Sequence, residues 1–259
     1  MKGTFYAVGV GPGDPELLTM KAIRTIRECP VLAVPISDPE CGQPIWNRFA
    51  KEERWLEKCA AYQILTGADL DVTEKEMLYL PMPMIREKER LRENHDRCAK
   101  QVMEILDVGL DIACVTLGDP SIYATTSYIK VRLEQNGYRT ALIPGVPSFC
   151  AAAAGLNVTL AENREEIHIL PASYDIEKSL SLSGTRILMK TASRTAQVRE
   201  ALEKRGMDAL MAENCGMEQE QFYHSVKEIP DKTSYYRPNK NLKPDKKDLP
   251  YSLSNEIKN

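Results

Sequence analysis

The sequence has no cysteine pair spaced C-x-x-C, only three histidines, two tryptophans and four phenylalanines, and no apolar run near the ~20 residues that span a bilayer. Each absence excludes something. Seven cysteines, odd in number and scattered singly (Cys29, Cys41, Cys59, Cys98, Cys114, Cys150, Cys215), suggest neither a disulfide framework nor a zinc site. His95, His168 and His224 stand apart from one another and from the cysteines, so packed or solvent-facing roles are expected and no metal is assigned. Positive charge is not in surplus either. The 34 Lys and Arg against 37 Asp and Glu leave a formal charge of -3, which speaks against a nucleic-acid protein relying on a broad basic face. Residues 1–12 lack the charged and long apolar regions of a signal peptide, and a cytoplasmic protein with no membrane partner is expected.

What remains, 259 residues with 43% hydrophobic, is enough for one large or two smaller packed domains. Residues 4–10 (TFYAVGV) are short, apolar and β-favouring. They run through glycines into PELLTMKAIRTIREC, where Leu17, Leu18, Ala22, Ile23 and Ile26 recur at helical spacing, with Asp14 placed to cap a helix that starts at Pro15. VLAVP follows as a buried strand, completing a βαβ unit. IWNRFAKEERWLEKC is read as a helix, EMLYLPMPM as containing a strand, and residues 85–109 as a long helix with Leu91, Cys98, Val102 and Ile105 inward. DIACVTL is a further buried strand. Behind it, Ser121 is a candidate cap for a helix ending at Gly137, and YRTALIPG and VPSFCAAAAGLN read as strand and helix. Strand and helix alternate again after residue 166, and QFYHSVKEIP alternates like a last strand. The fold class expected is α/β with two domains, each on a largely parallel sheet: residues 1–146, a linker over 147–165, residues 166–236, and a polar tail over 237–259.

The glycine loop GVGPGDPELLT invites comparison with nucleotide-binding loops and fits none of them. A dinucleotide fingerprint needs G-x-G-x-x-G and an acidic residue closing the next strand; here Gly13 comes one residue early and strand two ends in Val34-Pro35. A phosphate loop needs Gly-Lys-Ser/Thr where this chain has Asp14-Pro15. Two more glycine turns, Gly118-Asp119-Pro120-Ser121 and Pro144-Gly145-Val146-Pro147-Ser148, also follow strands. Ligands of open α/β sheets bind beyond the carboxyl ends of strands, so loops on neighbouring strands would border one crevice.

In this order and at these separations, GVGPGDPELLTMKA, VTLGDPSIYATTSY and IPGVPSFCAAAA resemble the S-adenosylmethionine-dependent tetrapyrrole methylases of corrin and siroheme synthesis. MKAIRTIRECPVLAVP, PMPM, MKTASR and ENCGMEQE are similar to the branch acting on C(20) of precorrin-2 or cobalt-factor II, in cobalamin synthesis. The resemblance implies two αβα domains with mainly parallel or mixed sheets, a cofactor cleft between them, and a homodimer. It implies S-adenosylmethionine contacts at Gly118, Asp119, Ile122 and Tyr123, and at Ser148, Phe149, Met189 and Asn214. Gly11, Pro12, Gly13 and Asp14 would face the tetrapyrrole. Asp119 and Tyr123 are the candidate catalytic groups, for a proton that leaves after methyl transfer. The implied substrate is rich in carboxylates, so Arg86, Lys88, Arg90 and Arg92 are candidates for its rim, against the plainer reading of a solvated face interleaved with glutamates. Lys190 and Arg194 are weighed in the same way. The alternatives are methylation at another precorrin or uroporphyrinogen position, or a binder impaired at its C-terminal side. Family members end in an apolar strand, whereas residues 237–259 are polar and carry Pro238, Pro244 and Pro250. Such a stretch is expected not to fill an interior sheet position.

Overall fold

The computed structural model describes every residue except 49–50, 84–86, 172–174, 232, 234–255 and 259. The chain divides into two compact units, Met1–Val146 and Pro147–Asn259.

In the first unit, β1 (Thr4–Gly9), β2 (Val31–Ile36), β3 (Ile45–Asn47), β4 (Glu76–Pro81), β5 (Ile112–Thr116) and β6 (Arg139–Ile143) form one sheet in the order β3-β4-β2-β5-β1-β6. All neighbours are parallel except β3, which runs against β4. Its helices are α1 (Met20–Glu28), α2 (Glu53–Leu56), α3 (Ala60–Gly67), α4 (Lys88–Asp107) and α5 (Thr126–Gln135). Because strand side chains alternate, β1 sends Phe5 and Ala7 to one face and Val8 to the other, and each set meets its own helices. One layer joins Ala22 and Ile26 of α1 with Leu65 of α3, and the opposite layer joins Cys98, Val102 and Ile105 of α4 with Ile129 and Leu133 of α5. Ile129 and Leu133 are fully buried, each stabilising the unit by roughly 1.5–3 kcal/mol.

In the second unit, α6 (Ser148–Gly155), β7 (Ile167–Pro171), α7 (Ile176–Leu180), β8 (Thr185–Met189), α8 (Thr195–Lys204), β9 (Leu210–Glu213), β10 (Gln221–Tyr223) and β11 (Glu256–Lys258) follow in order. Its sheet runs β10-β9-β11-β8-β7, with β7 and β8 parallel and β10 and β11 antiparallel to their neighbours. Ile176 and Leu180 of α7 and Val198 and Leu202 of α8 pack with Leu188 and Met211.

Several expectations need correction. The helix foreseen from Pro15 is a single 3-10 turn, Pro15–Leu17, in which the Asp14 carboxylate accepts from Glu16 N–H at 2.8 Å. Leu18 then returns to an extended backbone and Thr19 caps α1 afresh, accepting from Ala22 N–H at 3.1 Å. Thr19 Oγ1 also lies 3.2 Å from the Pro144 carbonyl, to which it donates. Thr19→Ala is therefore expected to cost about 1 kcal/mol of stability in urea unfolding. Ser121 does not cap α5; Tyr123, at φ 47°, cannot continue a helix, and α5 begins only at Thr126. Residues 45–59 do not form one helix, because β3 pairs with β4 and Trp46 Nε1 donates to Glu76 Oε2 at 2.7 Å. The last strand stops at Tyr223 and a 3-10 turn, Val226–Glu228, replaces its second half.

The largest correction concerns the tail. Glu256–Lys258 occupies the middle of the second sheet, Ile257 facing Leu188 on one side and Met211 on the other. Its physical reason lies in where the prolines fall: Pro238, Pro244 and Pro250 precede the paired residues, which retain every backbone N–H for the ladders.

Six of the seven cysteines are buried and Cys150 is exposed. Burial pushes the thiols of Cys29 and Cys98 up to about 12, so they stay protonated. His95 of α4 is buried and stacked on Tyr128 of α5, with ring centroids 4.6 Å apart and planes 9° from parallel. Burial first, and then the Arg132 guanidinium, hold its pKa below the ordinary imidazole range, while Asp96 acts in the opposite sense. The folded chain thus binds this proton more weakly than the unfolded chain. Stability should be full above about pH 6.5 and fall as the pH drops through and below that value, and His95→Phe should flatten the fall in urea midpoints measured between pH 5 and 8.

Candidate functional site

In the first unit, three glycine turns meet beyond the carboxyl ends of β5, β1 and β6, which are adjacent strands. The first two are tied backbone to backbone. Gly11 N–H donates to the Gly118 carbonyl at 3.3 Å and Gly118 N–H returns to the Gly11 carbonyl at 2.7 Å, just past a bond from Val10 N–H to the Thr116 carbonyl. Gly11 and Gly118 both sit at positive φ, 80° and 65°, where a side chain would be strained.

The outer turns then close over the end of β1. A Cβ on Gly9 would lie 2.5 Å from Gly118 O and 2.7 Å from Gly145 N, and a Cβ on Gly145 would lie 2.2 Å from Gly118 O. These glycines are required because three main chains touch where a side chain would otherwise stand. Asp119 finishes the arrangement: its Oδ2 accepts from Gly145 N–H at 3.1 Å, and its Oδ1 accepts from Ser121 N–H at 2.8 Å and from Ser121 Oγ. Gly11, Pro12 and Gly13 are buried, Ile122 is half-buried, and the Tyr123 side chain stands 44% exposed.

The second unit carries the other candidates. Ser148 opens α6 and Phe149 is buried in its first turn; Met189 ends β8, and Asn214 directly follows β9. β8 and β9 both run antiparallel to β11, so Met189 and Asn214 stand at the same end of the sheet, and Glu256 faces Met189 and Ala212 in register. α6 packs against β11. Lys190 and Asn214 adopt φ 62° and 58°, left-handed turns at the two strand ends. Asn214 Nδ2 donates to the Gln219 carbonyl at 3.0 Å. Arg194 Nε donates to Gln197 at 2.9 Å. At the end of β9, Glu213 Oε2 accepts from the Tyr223 hydroxyl at 3.2 Å, and burial together with that carboxylate raises the phenol to about 12.

Of the proposed rim cations, Arg86 lies outside the described residues. Lys88, Arg90 and Arg92 are exposed on α4, Arg90 pairing with Glu87 at 3.1 Å. Two residues that sequence reasoning did not single out stand near the candidates in the chain. Gly145 was visible in IPGVPS, a glycine turn after a strand. Thr191, fully buried with no hydrogen-bond partner for its hydroxyl among the described residues, carried no signal beyond its place after a strand. Among the described residues, no three His, Cys, Asp or Glu side chains gather as they would around a metal ion, and no helix is long and apolar enough to cross a membrane.

The chain is similar to known proteins both in sequence and in fold. The chain is 34% identical over 186 residues to a probable cobalt-precorrin-2 C(20)-methyltransferase of Methanocaldococcus jannaschii, covering 72% of this chain and 71% of that one. It is 24% identical to the cobalt-precorrin-2 C(20)-methyltransferase of Salmonella typhimurium, over 89% and 92% of the two chains. In fold it is similar to a cobalt precorrin-4 methyltransferase (TM-score 0.63, 16% identity, 87% of each chain). It is likewise similar to a uroporphyrin-III C-methyltransferase of Thermus thermophilus complexed with S-adenosylhomocysteine (TM-score 0.58, 20% identity, 91% of this chain and 94% of that one). The sequence profile of the tetrapyrrole (corrin/porphyrin) methylases matches residues 4–230, and the chain belongs to that family.

Proposed function

We propose that this chain transfers a methyl group from S-adenosylmethionine to C(20) of precorrin-2 or its cobalt complex, as a cytoplasmic homodimer in cobalamin synthesis. The observation that carries the reading is the joined platform of glycine turns at the ends of β5, β1 and β6, in a chain 34% identical to a C(20)-methyltransferase. A broad, flat macrocycle approaches main chain closely only where side chains are small or missing, and the turn over residues 9–14, which carries three glycines, is the candidate for that approach.

The bound S-adenosylmethionine supplies a methyl group already activated by its sulfonium charge. The protein therefore needs to align the two partners and exclude water more than it needs a strong acid or base. Gly118, Asp119, Ile122 and Tyr123 would hold the donor, and Ser148, Phe149, Met189 and Asn214 are further candidate contacts to it. Tyr123 sits on a left-handed turn that keeps its phenol outside the core, where it would orient the proton lost from the methylated ring. Lys88 and Arg92 would meet substrate carboxylates at the rim, where Lys190 and Arg194 are further candidates.

Titration with S-adenosylhomocysteine followed by incubation with precorrin-2 and with its cobalt complex tests the proposal. Micromolar binding is expected, and then a mass gain of one methyl with one of the two acceptors. Binding without mass gain would shift the assignment to another ring position or to uroporphyrinogen, and no binding would overturn the donor.

A further inference from the structure

We infer that Asp119 is a positioning residue: its carboxylate clamps the β5 turn to the β6 turn across the end of β1, and thereby fixes the main-chain surface on which the methyl donor rests. The inference rests on the donor proposed above, but its central observations concern the protein alone. Asp119 is partly buried, and both of its oxygens are engaged. Oδ1 accepts the Ser121 N–H and hydroxyl, which closes the Gly118–Ser121 turn on itself, while Oδ2 accepts Gly145 N–H from the other side of β1.

With one oxygen turned to Ser121 and the other to Gly145, the carboxylate spans the gap between the two turns. The clamp also has a mechanical purpose. The main chains of the two turns approach closely at Gly118 and Gly145, and this carboxylate bridges them. Thr19, whose hydroxyl donates to the Pro144 carbonyl, ties the neighbouring residue of the β6 turn to the start of α1. The β1, β5 and β6 turns are thus linked in one chain of hydrogen bonds, with Asp119 as a side-chain link between β5 and β6.

Asp119→Asn and Asp119→Ala separate this role from that of a proton acceptor. Asn keeps a single acceptor oxygen, so its amide must face either Gly145 N–H or the Ser121 donors with donor against donor. In Asp119→Ala, hydrogen exchange at the Gly145 amide should accelerate by about tenfold or more, and S-adenosylhomocysteine affinity should weaken by about tenfold, with Asn intermediate. Methyl transfer at saturating donor should keep the pH profile of the unaltered chain. Ser121→Ala, which removes one donor and leaves the Gly145 bond, should move exchange and affinity the same way by less, and serves if the Asp119 variants do not fold. The inference is overturned if Asp119→Asn leaves Gly145 exchange and donor affinity unchanged while removing a pH-dependent limb of methyl transfer. Should the unaltered chain bind no S-adenosylhomocysteine, the donor proposal fails on its own, and the exchange comparison still decides the clamp.

Discussion

Gly145→Ala is expected to abolish S-adenosylhomocysteine binding and to lower stability by about 3 kcal/mol, the upper range for overpacking a tight site. The new methyl would stand 2.2 Å from the Gly118 carbonyl oxygen, 2.7 Å from the Gly9 carbonyl carbon and 2.9 Å from its Cα. All three obstacles are main chain, and none can rotate away as a side chain would. Relief requires the β6 turn to lift, which breaks the Asp119 bond to Gly145 N–H and loosens the Thr19 bond to Pro144. Gly42→Ala is the matched control: its Cβ would meet nothing within 4 Å and its φ is not in the left-handed region, so calorimetry and thermal melts should show no loss.

Ile257→Pro should unfold the second unit while leaving the first intact, giving a melting curve with two separate transitions. Ile257 lies in the centre of β11 and faces Leu188 and Met211 at once, so proline there removes a ladder hydrogen bond and forces its ring between strands. A cost of about 3 kcal/mol is expected, large for one substitution. Ending the chain after Asn255 should act more strongly, since the inner edges of β8 and β9 would both lose their partner. The same β11 backbone lies beside Met189 and one residue from Asn214's strand end, so donor affinity should fall with it. If both changes left the melting curve and S-adenosylhomocysteine affinity untouched, β11 would have no part in the sheet.

Much of the site was legible because it is made of glycine and strand ends. DIACVTL and TFYAVGV announce buried strands by composition, and the turns after them are visible as Gly-containing breaks; adjacency of the strands then joins the turns. The Asp119 clamp was hidden, since no pattern in GDPS says that the carboxylate reaches a residue 26 positions away. Helix starts misled for a related reason. Pro15, Leu17 and Leu18 keep helical spacing, but Thr19 is a better cap than anything before it, and the chain spends one 3-10 turn reaching it. Residues 45–59 carry apolar spacing compatible with a helix, yet an antiparallel partner in β4 was available to Ile45–Asn47, and tertiary pairing outweighed local preference. The tail was misjudged by averaging: its prolines fall within residues 237–255, whereas the pairing uses three residues beyond them, Glu256–Lys258.

The position of β11 also sets a timetable for synthesis. The first unit has all its strands once Ile143 has left the ribosome, and can close while the rest of the chain is still being made. In the second unit, a slot between β8 and β9 stands vacant from the time Glu213 emerges until Lys258 follows it, 45 residues later, which at ordinary translation speeds is a delay of roughly 2 to 9 s. During that interval the nascent chain exposes two inner strand edges at the centre of a sheet, so a trigger-type chaperone, or a neighbouring nascent copy, has its longest opportunity at that slot.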